Sequence, residues 1–331
     1  MKTVIAATAL LLSVTACDYV TAVNELKPLA EKGDAEAQYN LAHMYRNGEG
    51  TPQDYEEAMH WYSKAAEQGF AKAQYNLALM YRNGEGTSQD YEEAVKWYTE
   101  AANQGYAPAQ SALGTAHELG QGVSQNPEEA VQWYIKAAEK GNPEAQYNLA
   151  FAYRNGIGEV QNFPSALHWY TKAAEQNVAQ AQYNLALMYV NGEGVPQDFE
   201  AALSWYTEAA NQGYAPAQNN LALMYNNGAG IPQDFEAALQ WYTKAAEQGN
   251  YFAQNNLGAM YDRGEGVPKD YETAAKWFTK AAEQGFAEAQ FNLGGMYEFG
   301  DGVPQDFDAA LKWYSKAAEQ GHERAKTKVE G

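Results

Sequence analysis

Tryptophan recurs at Trp61, Trp97, Trp133, Trp169, Trp205, Trp241, Trp277 and Trp313, and every interval is 36 residues. Gln38 through Gln290 and Leu41 through Leu293 keep the same spacing, so no insertion or deletion breaks the register over eight units. A period of this length marks a unit that cannot bury its apolar face alone and must stack on copies of itself. The chain is therefore expected to be an array of small repeats.

One unit reads as two helices. In the first, from about Ala35 to Arg46, Leu41, Ala42 and Tyr45 share a face at helical spacing. Asp34 can cap its start, and Asn47-Gly48 supplies residues that tolerate a helix stop. After the turn Gly48–Pro52, Asp54 opens a second helix, with Glu57 three residues on in a near capping box. Its apolar face carries Tyr55, Ala58, Met59, Trp61, Tyr62, Ala65 and Ala66. Lys64 and its equivalents sit in the last turn, where a cation complements the helix dipole. Position 58 is alanine in all eight copies, which lets helix axes approach closely. Gln38 and its equivalents border the core face, so their amides are expected to bond backbone in the adjoining turn.

The run Ala-x-Ala-Gln-x-x-Leu-Gly/Ala-x-x-Tyr, then Gly-x-Gly, then Ala-x-x-Trp-Tyr-x-x-Ala-Ala closely resembles the Sel1-like repeat, a longer relative of the tetratricopeptide repeat. Repeat 3 departs most, with His117 for the tyrosine and Ser124 for the proline; repeat 4 has Val160 for proline and Asn177 for the last glycine. The resemblance implies an all-α fold, an α/α right-handed superhelical solenoid of eight 36-residue repeats. It also implies an adaptor that assembles other proteins, with first helices lining the concave side. One cysteine-rich branch of the family has been linked to penicillin binding and β-lactam hydrolysis. This chain has a single cysteine, Cys17, so that chemistry is not carried over.

Residues 1–16 have the three parts of a secretory signal: Lys2, the apolar run Val4–Leu12, and small residues before a boundary. Val14-Thr15-Ala16-Cys17 resembles the bacterial lipobox, whose cysteine is lipidated after cleavage. The plainer alternative is a secretory signal with a chance cysteine. Asp18 next to the cysteine resembles an inner-membrane retention signal. The expected organisation is a lipoprotein signal peptide over 1–16, a tether and capping helix over 17–34, eight repeats over 35–322 and a C-terminal cap over 323–331. The expected location is the bacterial envelope, on a membrane anchor facing the periplasm.

The formal charge is −20, from 42 acidic and 22 basic residues, which disfavours nucleic acid and anionic lipid as direct partners. None of the five histidines pairs at metal-ligand spacing, and the repeated Gly-x-Gly lacks the context of a phosphate loop. No catalytic set, metal site or cofactor is expected.

The framework holds still while the first-helix face varies. Position 39 reads Tyr39, Tyr75, Ser111, Tyr147, Tyr183, Asn219, Asn255 and Phe291, and position 46 reads Arg46, Arg82, Glu118, Arg154, Val190, Asn226, Asp262 and Glu298. Such a surface can carry specificity. The expected partner site is Tyr39, His43, Arg46, Tyr75, Arg82, Tyr147, Phe151, Arg154 and Tyr183. Tyrosine and arginine are enriched at binding hot spots, and aligned arginines suit a protein or peptide rich in carboxylates. The equally weighted alternative is that the tyrosines pack on neighbouring helices and the arginines pair with surface glutamates. Two rival functions are a glycan or peptidoglycan binder using the aromatics, and a hydrolase of wall-related substrates. The latter needs a convergent acid, base and nucleophile.

Overall fold

The computed structural model describes the backbone of residues 16–330 and side chains from Tyr19 onward; the signal-like segment and the Cys17 side chain lie outside them. The described residues form eighteen helices and no strand. Helix α1 (Ala16–Glu31) is followed by α2 (Ala35–Asn47), α3 (Tyr55–Glu67), α4 (Ala71–Asn83), α5 (Tyr91–Asn103), α6 (Ala107–Leu119), α7 (Pro127–Glu139), α8 (Pro143–Asn155) and α9 (Phe163–Glu175). Then come α10 (Ala179–Asn191), α11 (Phe199–Asn211), α12 (Ala215–Asn227), α13 (Phe235–Glu247), α14 (Tyr251–Arg263), α15 (Tyr271–Glu283), α16 (Ala287–Phe299), α17 (Phe307–Glu319) and α18 (Glu323–Glu330). The described residues form two compact units, one ending at Trp169 and the other beginning at Tyr170, and in each the helical hairpins stack in chain order. The all-α solenoid of 36-residue hairpins expected from the period is the observed fold.

Local chemistry sets each hairpin. The Asp34 carboxylate accepts from the amide of Ala37 at 2.8 Å, and Asp54 accepts from Glu56 and Glu57 at 3.0 Å, satisfying amides that have no partner within the helix. The reciprocal half of the capping box is absent in repeat 1, because Glu57 accepts from the Trp61 indole at 3.1 Å instead. Gly48 ends α2 in the left-handed region. The second glycine of each turn has a separate role. Gly86 lies so close to the backbone of Tyr55 that a methyl group would collide with it, so the turn of one repeat seats on the second helix of the repeat before. At the Asn177 stop, asparagine itself adopts φ 63°, a conformation it tolerates better than most residues.

The core runs along the stack. Leu41, Ala58, Tyr62, Ala65 and Ala66 are buried in repeat 1, and so are their equivalents in the later repeats, among them Leu77, Tyr98, Leu257 and Tyr242, except Ala318 in the last, which is partly buried. The repeated glutamines are buried as well. Gln38 donates to the carbonyl of Ala30 at 2.9 Å, Gln74 to Ala66 at 3.1 Å and Gln254 to Ala246 at 3.1 Å. Their side-chain oxygens accept from the glutamine that follows the second helix: Gln68 to Gln38 and Gln104 to Gln74, both at 2.7 Å. The rule breaks once within the first unit. Lys140 stands where Gln68 and Gln104 have their equivalent and donates to the carbonyl of Gly105, leaving the buried oxygen of Gln110 without a hydrogen bond.

The tryptophans, placed by the sequence on the apolar face of each second helix, are less buried than the aromatic residue that follows each of them. Trp61 is buried beside the N-terminal helix, but Trp97, Trp133, Trp205, Trp241, Trp277 and Trp313 are only half-buried. Lysine ammonium groups cover several of these rings, at 3.7 Å for Lys136 over Trp133 and 4.0 Å for Lys244 over Trp241 and Lys280 over Trp277. The last-turn lysines thus shield aromatic faces as well as complementing helix ends.

Both ends are covered. Val23 and Leu26 of α1 pack on the first core cluster, and Pro28 falls near the end of that sixteen-residue helix. Helix α18 begins a ninth unit: Ala325 is buried, and Lys328 donates to both oxygens of Glu298 at 2.7 and 2.8 Å.

Candidate functional site

The first unit brings Tyr39, His43, Arg46, Tyr75, Arg82, Tyr147, Phe151 and Arg154 onto the exposed side of helices α2, α4 and α8; Tyr183 stands on α10 in the second unit. These residues differ in how free they are. Tyr39 is half-buried, its ring 5.8 Å from Tyr62 and 5.4 Å from Phe70. Tyr75 repeats the arrangement against Tyr98 and Tyr106, and Tyr183 against Tyr206 and Tyr214. Burial raises the hydroxyl pKa of Tyr39, Tyr75 and Tyr147, so they stay neutral and can donate hydrogen bonds. His43 and Phe151 are exposed, with Phe151 6.5 Å from Tyr147.

Arg46 is already engaged. Its Nε and Nη2 donate to the two oxygens of Glu85, in the next repeat, at 2.7 and 3.2 Å, and its Nη1 reaches Asn76 at 3.4 Å. Both side chains are 21% exposed. Burial pushes the Glu85 carboxyl up, but hydrogen bonds from Arg46 and Asn83 outweigh it and hold the group below its ordinary value. Arg46 therefore clasps repeat 1 to repeat 2, and an incoming carboxylate would have to displace Glu85.

Two features beneath this face were missed in the sequence. The residue just before a first helix is aromatic at Phe70, Tyr106 and Tyr214, and there it supports the position-39 ring of the preceding repeat. The second is the buried tyrosine of the Trp-Tyr pair, whose hydroxyl lies under position 46 of the same repeat. Tyr134 donates to Glu118 at 2.5 Å and contacts the Thr115 hydroxyl at 3.2 Å; Tyr314 donates to Glu298 at 2.5 Å. In repeats 3 and 8 position 46 is a glutamate that accepts from the hydroxyl sixteen residues later. The constant spacing between position 46 and that tyrosine was the available signal.

In the second unit the same face is built from amides. Asn219 and Asn255 are buried at position 39 and accept from Asn256 and Asn292 of following repeats at 3.3 and 3.0 Å. Asp262 and Asp301 occupy the positions equivalent to Arg46 and Glu85, and burial raises the Asp262 carboxyl against the opposing charges of Lys269 and Arg263, with a smaller push from Asp301. Among the described residues no group of three or more histidine, cysteine or carboxylate side chains could hold a metal ion, and no helix is long and apolar enough to cross a membrane.

The Sel1 repeat family model matches residues 35–70, 71–106, 107–142, 143–178, 179–214, 215–250, 252–286 and 287–322. Among solved structures, the chain is similar to c5321, a protective antigen of uropathogenic Escherichia coli strains with an SLR fold. The identity is 39% and the TM-score 0.85, over 93% of this chain and 66% of that one. This chain thus spans just under two thirds of the Escherichia coli protein. It is also similar to a Sel1 repeat protein from Oxalobacter formigenes, with 35% identity and a TM-score of 0.71 over 94% of this chain and 90% of that one. A comparison with curated protein sequences finds no match. Sel1 repeat proteins are generally scaffolds for protein–protein interaction, and eight matched units in unbroken register place this chain in the Sel1 repeat family.

Proposed function

We propose that this chain is a non-catalytic, envelope-anchored scaffold that holds a protein or peptide partner along the first helices of repeats 1–4. The observation that carries the reading is the contrast within one surface. Buried leucines, alanines and glutamines form the same framework in each repeat, while the first-helix face changes: His43 is followed by Leu79, Thr115 and Phe151 at its position, and Arg46 and Arg82 give way to Glu118 at theirs. Rigid backbone with variable, amphipathic side chains is what recognition needs, since little ordering remains to oppose binding.

Anchoring rests on Lys2, the apolar run Val4–Leu12 and Val14-Thr15-Ala16-Cys17. Lipid on Cys17 would tether the array to a membrane facing the periplasm, the inner one if Asp18 acts as a retention residue. Metabolic labelling with a palmitate analogue tests the tether. The wild-type chain should incorporate label and fractionate with membranes, and Cys17→Ser should do neither. A wild-type chain that is secreted unlabelled would refute anchoring and leave the binding face to be tested separately.

A further inference from the structure

The pair Arg46–Glu85 has a counterpart one repeat later that is incomplete. Arg82 occupies the position of Arg46, but the position of Glu85 is taken by Gln121. Among the described residues no carboxylate lies within ion-pair distance of the Arg82 guanidinium, whose side-chain hydrogen bond is a long one, 3.4 Å, to Asn83. Beside it is a small cleft of about 10 Å³, room for one water-sized group, lined by Arg82, Tyr91, Tyr98, Thr115 and Gln121 together with four aliphatic residues of α5 and α6. The Tyr98 side chain is 2% exposed, and its hydroxyl has no hydrogen-bond partner. Buried hydroxyls are normally bonded, so this one is short of an acceptor.

The protein itself shows what fits there. In repeat 3 the equivalent hydroxyl, Tyr134, donates to the Glu118 carboxylate, and in repeat 8 Tyr314 donates to Glu298. In repeat 1 the equivalent guanidinium, Arg46, is filled by the Glu85 carboxylate, although the Tyr62 hydroxyl beneath it makes no hydrogen bond of its own. Repeat 2 combines an arginine and a buried tyrosine hydroxyl with no acid to serve either. Glu144 and Glu85 contribute to the local field, yet neither is bonded to Arg82 or Tyr98. Arg82 and Tyr98 both line the cleft, the Arg82 charge acts on the Tyr98 hydroxyl, and the space takes one water-sized group such as a carboxylate oxygen, which charge-assisted hydrogen bonds would hold.

We infer that the cleft between Arg82, Tyr98 and Gln121 is a carboxylate-binding notch that receives an acidic group of a bound peptide. The peptide source rests on the scaffold reading above; the notch itself does not, because a small carboxylate can be titrated without any partner. In a chain of charge −20, acids elsewhere on the surface are repelled, so a single open arginine also selects where an acidic partner registers.

The test uses the full chain labelled with [13Cζ]tyrosine, with the Tyr98 signal assigned through Tyr98→Phe. Two probes are titrated at constant ionic strength: N-acetylglutamate α-methylamide, which offers a side-chain carboxylate, and N-acetylglycine, which offers a chain-end carboxylate. N-acetylglutamine α-methylamide is the neutral control. A charged probe should move the Tyr98 signal saturably at millimolar concentration, and the tighter of the two identifies the source. Arg82→Gln should weaken binding by at least about tenfold. Gln121→Glu replaces a neutral amide by an internal carboxylate of the same shape, and should abolish binding while the fold is kept. Glu144→Gln should leave binding intact or tighten it. No saturable movement of Tyr98, an equal response to the neutral probe, or undiminished binding in Gln121→Glu would overturn the proposal. Failed partner capture with the probe still binding would refute the scaffold reading alone.

Discussion

At the scale of single residues, the ion pair Arg46–Glu85 shows how a surface-looking arginine can be structural. The pair is bidentate, partly buried and joins two repeats, so removing one partner strands the other in a desolvated position. Arg46→Ala is expected to destabilise the protein by ~1–2 kcal/mol, between the ranges for exposed and buried pairs. The pH dependence has a definite sign. The Glu85 carboxyl is held below its ordinary value of 4.5, so the pair contributes stability that is present above that pH and is lost as pH falls through the folded value. Thermal melts of wild type and Glu85→Gln should therefore differ at pH 7 and converge as the pH drops well below 4.5. A difference that persists undiminished in acid would assign the effect to packing. Pairing of these arginines with glutamates was one of the two readings of the sequence, but the column Arg46, Arg82, Glu118, Arg154 did not say which arginine is paired or with which glutamate. The partner lies 39 residues ahead, and only the three-dimensional stack brings positions 46 and 85 together.

At the scale of helices, the hairpin was legible in sequence because each cue has a local cause. Asp34 and Asp54 cap, Gly48 stops, and Leu41 and Ala58 mark buried faces, and each of these acts within a few residues of chain. The relative burial of Trp and Tyr was not legible, since adjacent aromatic residues point in directions that depend on the neighbouring hairpin. The structure buries Tyr206 almost fully and leaves Trp205 half-buried. Tyr206→Ala is expected to cost about 3–5 kcal/mol and Trp205→Ala about 2 kcal/mol, because the cavity term belongs to the buried ring. Denaturant melts of the two variants decide it; a larger loss at Trp205 would contradict the packing described. The glutamine ladder offers a gain instead of a loss. Lys140→Gln restores the missing donor to the Gln110 oxygen and should stabilise by about 0.5–1.5 kcal/mol. An unchanged midpoint would mean that water already serves that oxygen.

At the scale of the whole molecule, the unbroken period of 36 made the architecture readable, because nothing but a stacked array fits eight copies of one hairpin. The binding face was readable only as a set of variable positions. Which of them are spoken for depends on contacts between repeats: Arg46 is held by Glu85, the position-39 tyrosines lean on residues 70, 106 and 214, and Arg82 is left beside an unpartnered hydroxyl. The central claim is that the first-helix face of repeats 1–4 holds a protein partner. Site-specific photocrosslinking in intact cells tests it most directly. A benzophenone amino acid is placed at His43 or Phe151, both exposed on first helices, and at Lys96 or Gln132, both exposed on second helices. The expected result is one shared adduct from positions 43 and 151 that is absent from 96 and 132. Adducts of equal yield from both faces, or none from the first-helix positions, would contradict the claim.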